Sequence, residues 1–545
     1  MKKLIVTVLA GCILSGVTAC KNNLNLKPEN SFSSASVWHS AKLAQTFVNQ
    51  RYQVLPNLLY GTSALTLWPS VAADAYIRFN YNNASAIQKG ELAPDNTTSF
   101  AGMGAWNRYW KTIRNCNIFF QKIKGIKGNA ALVKRLTGEV HFLRAWSYFE
   151  LIKRYGGVPI IKKVFKLGGN YKEKRSSYDK CTKFIVADLD SAATDLPVAY
   201  SSGSSKLGRA SKGAALGLKS RVLLFDASKL NNPNDNMSKW KKAANAAKAV
   251  IDLGAYHLYQ GKKYSNIFLK NWTSGIIFAR EYSSNPNYGW HDIQTVEAPN
   301  GYHGWSACSP SQNLVNQFPM KNGKPITASN SGYDPNHPYK NRGPRFYGDI
   351  VYNNEMFYGR KTEFYKGGKD SPQGIDNWNA SLTKYTLKKY FDQSRKIGSS
   401  KQPNTEVPLI RLPEMYLNYA EAEYHLGNES MARQALDKLR ERPSINFPDL
   451  PSTLSGPKLM AAIRRERRLD LSFEGHHYFD LLRWKLAMKK LNGHLNGMMI
   501  TKNSDGTFNY HVRHVIPLTF KKKMYRFPIP HQVEEKTDLK QNPGY

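Results

Sequence analysis

The stretch that decides the fold lies near the carboxyl end, where residues 463–475 read IRRERRLDLSFEG and residues 480–484 read DLLRW. These runs hold two arginine–carboxylate pairs at a spacing of three residues: Arg467 with Asp470, and Asp480 with Arg483. Side chains three residues apart lie on one face of a helix, where opposite charges can pair. Apolar residues surround these charges, which favours fixed ion pairs that tie the last helices together. The alternative is catalytic, with Glu466 and Glu474 as the carboxylate pair of a glycoside hydrolase.

Apolar residues recur at helical spacing on both sides of this stretch. The pattern predicts helices over residues 36–54, 103–124, 130–155, 176–195, 209–228, 237–253, 409–426, 430–442 and 457–473. Short turns join several of them, and small residues such as Ala420, Ala422 and Ala432 let antiparallel neighbours approach closely. This arrangement resembles tetratricopeptide packing without a regular 34-residue repeat. We therefore expect a mainly α fold that uses tetratricopeptide-like helix pairs as its scaffold.

Two segments, residues 56–101 and 260–406, break the helical pattern. Both are rich in Gly, Asn, Pro, Ser and aromatic residues. A structureless segment of this size is uncommon in a compact domain unless it is functional. We expect the helical scaffold mainly in residues 36–55, 102–255 and 407–490, and the ligand-facing surface in the two irregular segments.

The amino terminus has the features of a lipoprotein signal peptide. Two lysines precede an uncharged apolar run from Leu4 to Val17, which is too short to span a membrane. The run ends in VTAC at residues 17–20, which resembles a bacterial lipobox with Cys20 as the lipidated residue. An ordinary secretory peptide, with Cys20 incidental, is the alternative. The expected organisation is a signal peptide over residues 1–19, a lipidated tether over 20–35 and a single domain over 36–545.

The chain is strongly basic, with 78 Lys and Arg against 40 Asp and Glu and a net charge of +38. Such an excess is typical of proteins that meet polyanions. Because a signal peptide directs the protein out of the cytoplasm, we expect no nucleic-acid partner. A basic surface without a specific partner is the other interpretation.

Cysteines and histidines give no pattern for a metal or a disulfide framework. Removal of the leader and lipidation of Cys20 leave Cys116, Cys181 and Cys308, which are widely spaced. The first two lie in helical patterns, and we expect them to be small buried hydrophobic residues. His291 and His303 lack a third ligand at zincin spacing. We therefore expect neither a metal nor a cofactor.

Five motifs, in order along the chain, resemble the SusD/RagB family. They are GEVHFLRA at 138–145 with YGGVP at 155–159, SKGAA at 211–215 with RVLL at 221–224, IRLPEMYLNYAEA at 410–422, the 463–484 stretch, and FPIP at 527–530 with QNPGY at 541–545. The sequence departs from the family in having His141 and His477 where arginine is common, and Asp470 where glutamate is usual. It also lacks the acidic pair that often follows the lipidated cysteine, which leaves the outward orientation of the protein open.

The resemblance implies a non-enzymatic outer-membrane lipoprotein, exposed at the cell surface, that captures an oligo- or polysaccharide. Its implied partner is a SusC-like TonB-dependent transporter, through which the glycan is imported. Two alternatives remain. A RagB-like receptor for peptide or protein would have the same architecture and a flatter, less aromatic site. A secreted polysaccharide-degrading enzyme would need a clustered acid and base, and neither irregular segment has a convincing pair.

Sugars bind proteins by stacking their C–H faces on aromatic rings, while polar side chains hydrogen-bond the hydroxyl groups. In the family, loops in the two irregular regions commonly supply such rings. The candidate ligand-binding residues are Trp68, Asp74, Tyr76, Arg78, Phe79 and Tyr81 in the first segment, and Tyr288, Trp290, His291, Tyr302 and Trp305 in the second. Trp106 and Trp484 lie within helix motifs, and we expect them in the core.

The positive charge raises the hypothesis of an acidic glycan, such as a uronic-acid or sulfated polymer. Its anionic groups would then meet lysines of the second irregular segment, and arginines could add bidentate contacts that lysine cannot make. The candidate cations are Lys361, Lys366, Lys369, Lys384, Lys388, Lys389, Arg78, Arg342, Arg345 and Arg360.

Overall fold

A computed structural model describes residues 36–57, 64–79, 84–97, 103–126, 128–166, 172–284, 292–399 and 405–545. The predicted signal peptide and tether lie outside these residues, so both stay predictions.

The helices of the described part of the chain are, in order, α1 (Ala41–Arg51), α2 (Ala64–Val71), α3 (Ala84–Gln88), α4 (Met103–Lys122), α5 (Ala130–Tyr155), α6 (Tyr178–Asp195), α7 (Lys212–Ala227), α8 (Met237–Ile251), α9 (Asn266–Leu269), α10 (Ile293–Glu297), α11 (Gln312–Val315), α12 (Pro344–Asp349), α13 (Leu412–His425), α14 (Glu429–Arg440), α15 (Gly456–Asp470), α16 (His477–Arg483), α17 (Ala487–Lys490) and α18 (His531–Glu534). The strands are β1 (Ala75–Ile77), β2 (Ile276–Tyr282), β3 (Cys308–Pro310), β4 (Ile350–Val351), β5 (Met356–Phe357), β6 (Arg360–Lys361), β7 (Thr386–Leu387), β8 (Thr405–Arg411), β9 (Gly493–Lys502) and β10 (Phe508–Leu518).

Each long helix that the periodicity predicts is present, and local sequence sets its ends. Ser40, Ser177 and Ser211 precede α1, α6 and α7, and their hydroxyl oxygens accept hydrogen bonds from first-turn amides. Pro413 occupies the first turn of α13, where its missing N–H leaves no intrahelical bond unmade. Gly156 ends α5 with a φ of 77°, a conformation that glycine adopts without strain.

Helix α5 lies at the centre of the helical scaffold and is buried around most of its circumference. Helices α4 and α6 pack against it, and contacts then pass from α6 to α7, α8, α13 and α14 in turn. This succession is compatible with the predicted tetratricopeptide-like pairs, and it confirms the mainly helical fold. The largest hydrophobic cluster of the described residues has members from Ala44 to Leu539, and two smaller clusters lie among the helices of the scaffold.

The charged side chains of residues 463–484 belong to a buried ion-pair network. Arg467 of α15 donates to Asp480 of α16 over 2.9 Å, and Arg483 of α16 donates to Glu421 of α13 over 2.7 Å. Asp470, at the end of α15, accepts from Arg345 over 2.7 Å. The interpretation that arginine–carboxylate pairs tie the last helices together is confirmed, and Arg483 pairs with Asp480 over 2.8 Å as predicted. The predicted pair of Arg467 with Asp470 is wrong, because Arg467 bonds Asp480 and Asp470 bonds Arg345 instead.

In the described ranges the strands pair two by two: β1 with β3, β2 with β8, β4 with β7, β5 with β6 and β9 with β10. Cys116, Cys181 and Cys308 are buried as thiols, and Trp106 and Trp484 are buried, as predicted for four of these five side chains. Among the helices that the structure describes, none combines the length and the apolar character needed to cross a membrane.

Candidate functional site

A short antiparallel pairing brings the two irregular segments together. Strand β1 pairs with β3 in the register Ala75↔Pro310, Tyr76↔Ser309 and Ile77↔Cys308. Beyond the strands, the amide of Arg78 donates to the carbonyl oxygen of Ala307 over 3.1 Å. Because the pairing is antiparallel, the chain that leaves β1 runs beside the chain that enters β3. Residues just after 77 therefore meet residues just before 308.

Where the two segments meet, two aromatic rings come into contact. The rings of Phe79 and Trp305 meet edge to face, with 6.1 Å between their centroids. The loop before Trp305 turns tightly, since the amides of His303 and Gly304 donate to the carbonyl oxygens of Asn300 and Pro299. A Cβ at Gly304 would lie 2.2 Å from a backbone oxygen of Ala298, so only glycine fits there.

A third segment, residues 374–379, closes onto this loop. The Asn300 amide donates to the carbonyl oxygen of Ile375 over 2.6 Å, and His303 Nδ1 lies 2.8 Å from an oxygen of Asp376. The guanidinium of Arg78 donates to the carbonyl oxygen of Trp378. These bonds fix the backbone beneath Trp378, whose side chain is 59% exposed. Among the tryptophans in the described ranges, it alone is exposed.

Tyr302 forms the edge of the same surface. Its hydroxyl donates to the carbonyl oxygen of Phe357 over 2.7 Å, and the Arg360 guanidinium lies 3.8 Å from its ring centroid. Arg360 is held in turn by two hydrogen bonds of 2.8 Å to the buried carboxylate of Asp370. The Tyr302 ring is therefore fixed in place before any ligand arrives.

We call the surface formed by Arg78, Phe79, Tyr302, Trp305 and Trp378 the Trp378 face. It combines aromatic rings with a guanidinium group, and His303 and Asp376 lie beside it. Rings of this kind can stack on the flat, apolar face of a sugar, and the polar groups can bond its hydroxyls. The arrangement therefore suits the binding of a ligand that offers both flat apolar faces and hydroxyl groups.

A buried acid lies behind the Trp378 face. Glu297, at the end of α10, is 1% exposed, and its Oε2 accepts from the amide of Cys308 over 2.8 Å. Its Oε1 has no hydrogen-bond partner among the residues that the structure describes. Burial raises the pKa of the Glu297 carboxyl to about 8, so the group is mostly protonated at neutral pH.

Two of the predicted ligand-binding residues are corrected by the structure. Trp68 is only 6% exposed and packs on Phe479, with 4.6 Å between the ring centroids. Asp74 is 4% exposed and accepts from Arg468 over 2.9 Å, while its other oxygen lies 2.7 Å from His477. Burial opposes ionisation of Asp74, but Arg468 and His477 outweigh it and lower the pKa of the carboxyl. Both side chains belong to the interior, because α16 packs on Trp68 and side chains from α15 and α16 bond Asp74.

The other predicted residues divide into two groups. Arg78, Phe79, Tyr302 and Trp305 are brought together, while Tyr76 is half-buried on β1 beside them. The remaining candidates lie outside the ranges that the structure describes and stay predictions: Tyr81, Tyr288, Trp290 and His291.

Most of the cations proposed for an acidic glycan serve the fold instead. Arg342 is 2% exposed and donates to backbone carbonyl groups, and Arg345 is 1% exposed and bonded to Asp470. Lys389 lies 2.8 Å from Glu474 and is buried with it. Lys388 pairs with Glu355 and Arg360 with Asp370, while Lys384 is 7% exposed. Of the ten, three remain exposed on the surface: Lys361, Lys366 and Lys369.

The two carboxylates of the catalytic alternative, Glu466 and Glu474, also form internal hydrogen bonds. Glu466 accepts from the buried Arg345, and Glu474 accepts from Lys389 and Arg411. Both carboxylates are therefore held in internal ion pairs, and their side chains are at most 8% exposed. In the described part of the chain, no group of three or more His, Cys, Asp or Glu side chains is placed to hold a metal ion.

Trp378 is the functional candidate that sequence reasoning missed. It lies in the run GIDNWN at residues 374–379, within the second irregular segment. A tryptophan flanked directly by asparagines, with an aspartate beside them, lies in a polar run of the kind found at the surface, and this signal could have identified it.

Known proteins resemble the chain over nearly its whole length. A model of the SusD family matches residues 274–545, and a model described as "Starch-binding associating with outer membrane" matches residues 23–224. SusD-like protein P38 of Formosa agariphila is 23% identical over 521 residues, which cover 91% of this chain and 94% of that protein.

Two solved structures from Bacteroides fragilis have the same fold. A SusD-like protein superposes with a TM-score of 0.80 at 29% identity, covering 94% of this chain and 99% of that one. A SusD-like carbohydrate-binding protein superposes with a TM-score of 0.78 at 23% identity, covering 92% and 99%.

Proposed function

Since the chain belongs to the SusD family, we propose that it is a cell-envelope lipoprotein that binds a glycan on the Trp378 face. It passes the glycan to a SusC-like TonB-dependent transporter in the outer membrane. Its own role is capture, without catalysis. Lipidation of Cys20 and exposure at the cell surface are parts of the same proposal.

The exposed indole of Trp378 is the main observation that supports this proposal. A ring that is 59% exposed contributes little to the core, yet three neighbouring side chains, Arg78, Asn300 and His303, hold the segment beneath it. A fixed backbone under an exposed aromatic ring is a preorganised binding surface, because little conformational entropy is lost when a ligand stacks on it.

A glycan fits this surface better than a peptide does. The RagB-like alternative requires a flatter, less aromatic site, whereas this region has four aromatic rings: Phe79 and Trp305 in contact, Tyr302 held by Arg360, and Trp378 exposed. Carbohydrate binding by one of the solved B. fragilis relatives, and the starch-binding description of the matched amino-terminal family model, support the same cargo class.

We further propose that stacking, more than charge, holds the glycan. Most of the candidate cations are buried or paired within the protein, so they cannot meet anionic groups of a ligand without leaving their partners. Breaking such buried pairs costs several kcal/mol. The proposed cargo is therefore a neutral oligo- or polysaccharide.

Replacing Trp378 tests this proposal. Isothermal titration with neutral and acidic polysaccharides first identifies a bound glycan, starting from starch oligosaccharides. The Trp378→Ala protein should then bind it roughly ten- to a hundredfold more weakly, in line with about 1–3 kcal/mol for aromatic stacking on flat ligands.

Two controls separate binding from folding. Trp378→Phe keeps a ring at the same position and should retain most of the affinity. Because the side chain is exposed, both variants should melt within about a degree or two of the parent protein. Unchanged affinity in a correctly folded Trp378→Ala protein would place the glycan elsewhere. New reducing ends released from any of the polysaccharides would show an enzyme.

A further inference from the structure

A second groove lies next to the Trp378 face and has the chemistry of a sugar site. It is formed where the tip of the β9–β10 hairpin, around residues 506–510, packs over residues 336–354. Its volume is about 790 Å³, within the usual range of small-ligand pockets.

Half-buried aromatic rings form one wall of this groove. Tyr352 and Tyr510 both pack against the buried Tyr339, with centroid distances of 4.9 Å and 5.3 Å. The Tyr347 hydroxyl donates to the carbonyl oxygen of Tyr339 over 2.7 Å, and Phe508 lies at the hairpin tip. These contacts fix the rings and leave part of each exposed to the groove, as a stacking surface requires.

Side-chain amides form the rest of the lining. Asn336, Asn341 and Asn354 are exposed, and their amide groups make no hydrogen bond to any residue that the structure describes. Asn353, at the base, is 1% exposed; its Oδ1 accepts from the amide of Phe364 over 2.9 Å, and its side chain also interacts with the hydroxyl of Tyr510.

This lining selects for a hydroxyl-rich ligand. An amide both donates and accepts, as a sugar hydroxyl does, so each can satisfy the other. A hydrocarbon would leave the amides without partners. A polyanion would need several cations, and the charged side chains in the lining are Lys340 and His337, of which His337 lies 2.6 Å from Asp334.

The groove and the Trp378 face share one structural element, the β5–β6 hairpin. Asn354, in the groove, precedes this hairpin, and the Phe357 carbonyl within it accepts the hydroxyl of Tyr302 on the Trp378 face. Three residues of backbone span at most about 11 Å. The backbone positions at which the two surfaces meet this hairpin are therefore close together.

We propose that this groove, the Tyr510 groove, is a second carbohydrate subsite that binds a further part of the same neutral glycan. The inference rests on the proposed function. It adds that affinity depends on chain length, because a chain long enough to occupy both surfaces gains a second binding event at high effective concentration.

The test uses affinity electrophoresis of the mature protein through gels that contain starch, a neutral β-glucan or a polyuronate. Titration with oligosaccharides of increasing length follows.

The groove variant is Asn336→Ala combined with Asn354→Gly, which removes two exposed amides. Glycine suits position 354 because the φ of Asn354 is 68°. A second variant, Phe508→Ala, removes a ring. Asn245→Ala, an exposed amide on α8, is the matched control.

The expected result is an affinity for the long chains about tenfold lower in both groove variants, with short oligosaccharides unaffected. Groove variants that bind every chain length like the parent protein would overturn the second subsite and leave the proposed function standing. Loss of binding in the groove variants together with normal binding in Trp378→Ala would support the groove and overturn the Trp378 face. A parent protein retarded by none of the polysaccharides would overturn both.

Discussion

At the scale of single residues, Glu297 shows how a buried group links stability to pH. Its carboxyl has one oxygen bonded to the Cys308 amide and the other without a partner among the described residues. The pKa is raised to about 8 by burial, whereas in an unfolded chain a glutamate titrates near about 4.3. Between these two values the folded protein keeps a proton that the unfolded chain has lost. Stability therefore falls as pH rises through this window.

Glu297→Gln should abolish this pH dependence. The variant is expected to match the parent protein near pH 4, where the acid is neutral in both states, and to exceed it at pH 9 by on the order of a few kcal/mol. Thermal unfolding at the two pH values measures the difference. Glu297→Ala is the matched control, and it should lose stability at both because it leaves a cavity. Equal melting temperatures of the parent protein and the Gln variant at pH 9 would contradict the raised pKa of Glu297 in the folded protein.

Single positions were also where sequence reasoning was least successful. Trp68 and Trp378 are both tryptophans in irregular segments, yet one is 6% and the other 59% exposed. The difference in exposure depends on α16, because this helix covers Trp68. In the sequence, α16 lies about four hundred residues after Trp68. Composition can place a ring in a candidate segment, but tertiary packing decides which face of the protein it joins.

At the scale of elements, one carboxylate forms hydrogen bonds with several separate elements of the fold. Asp470 of α15 accepts hydrogen bonds from Arg345 of α12, Arg411 of β8 and Arg442 after α14. Burial opposes its ionisation, but the three arginines outweigh this effect and hold its pKa far below the ordinary value. The aspartate stands where the family usually has glutamate, and the shorter side chain still reaches all three.

Asp470→Asn should therefore lower the free energy of unfolding by about 3–5 kcal/mol, because it leaves buried guanidinium groups without their counter-charge. Urea unfolding followed by circular dichroism measures the loss. Asp252→Asn is the control, since its pair with Lys248 is exposed on both sides and should contribute less than about 1 kcal/mol. A loss at Asp470 as small as that at Asp252 would show that the network is not stabilising.

The helices themselves were predictable from the sequence, since periodicity, serine caps and proline starts act locally. The pairing of β1 with β3 was not. Strands of three residues carry too little pattern to identify a partner more than two hundred residues away, and this pairing builds the Trp378 face.

At the scale of the whole molecule, the net charge of +38 suggested an anionic cargo, but the structure assigns many cations in the second irregular segment to internal pairs. We therefore expect affinity for the captured glycan to change by less than about twofold between roughly 50 and 200 mM salt, unlike the steep fall seen with polyanions. Titration at both salt levels is the measurement. A steep fall in affinity would instead favour an acidic glycan, bound through exposed lysines such as Lys361, Lys366 and Lys369.

The predicted lipid anchor at Cys20 lies outside the residues that the structure describes. Cys20→Ala should release the protein from the membrane fraction, because a lipidated amino terminus with more than one acyl chain holds stably and a bare polar tether does not. Fractionation of cells that lack the transporter measures this. Persistent membrane association of the alanine variant in such cells would exclude lipidation as the anchor.

The β1–β3 pairing also has a consequence for the order of folding. Its flanking bond, from the Ser311 hydroxyl to the carbonyl oxygen of Ala73, joins residues 238 positions apart. Contacts of such long range close large loops and form slowly, whereas neighbouring helices such as α5 and α6 can associate early. The Trp378 face is thus assembled only after both halves of the chain have been synthesised and brought together. A newly made chain can therefore be largely helical while the surface proposed to bind sugar has not yet formed.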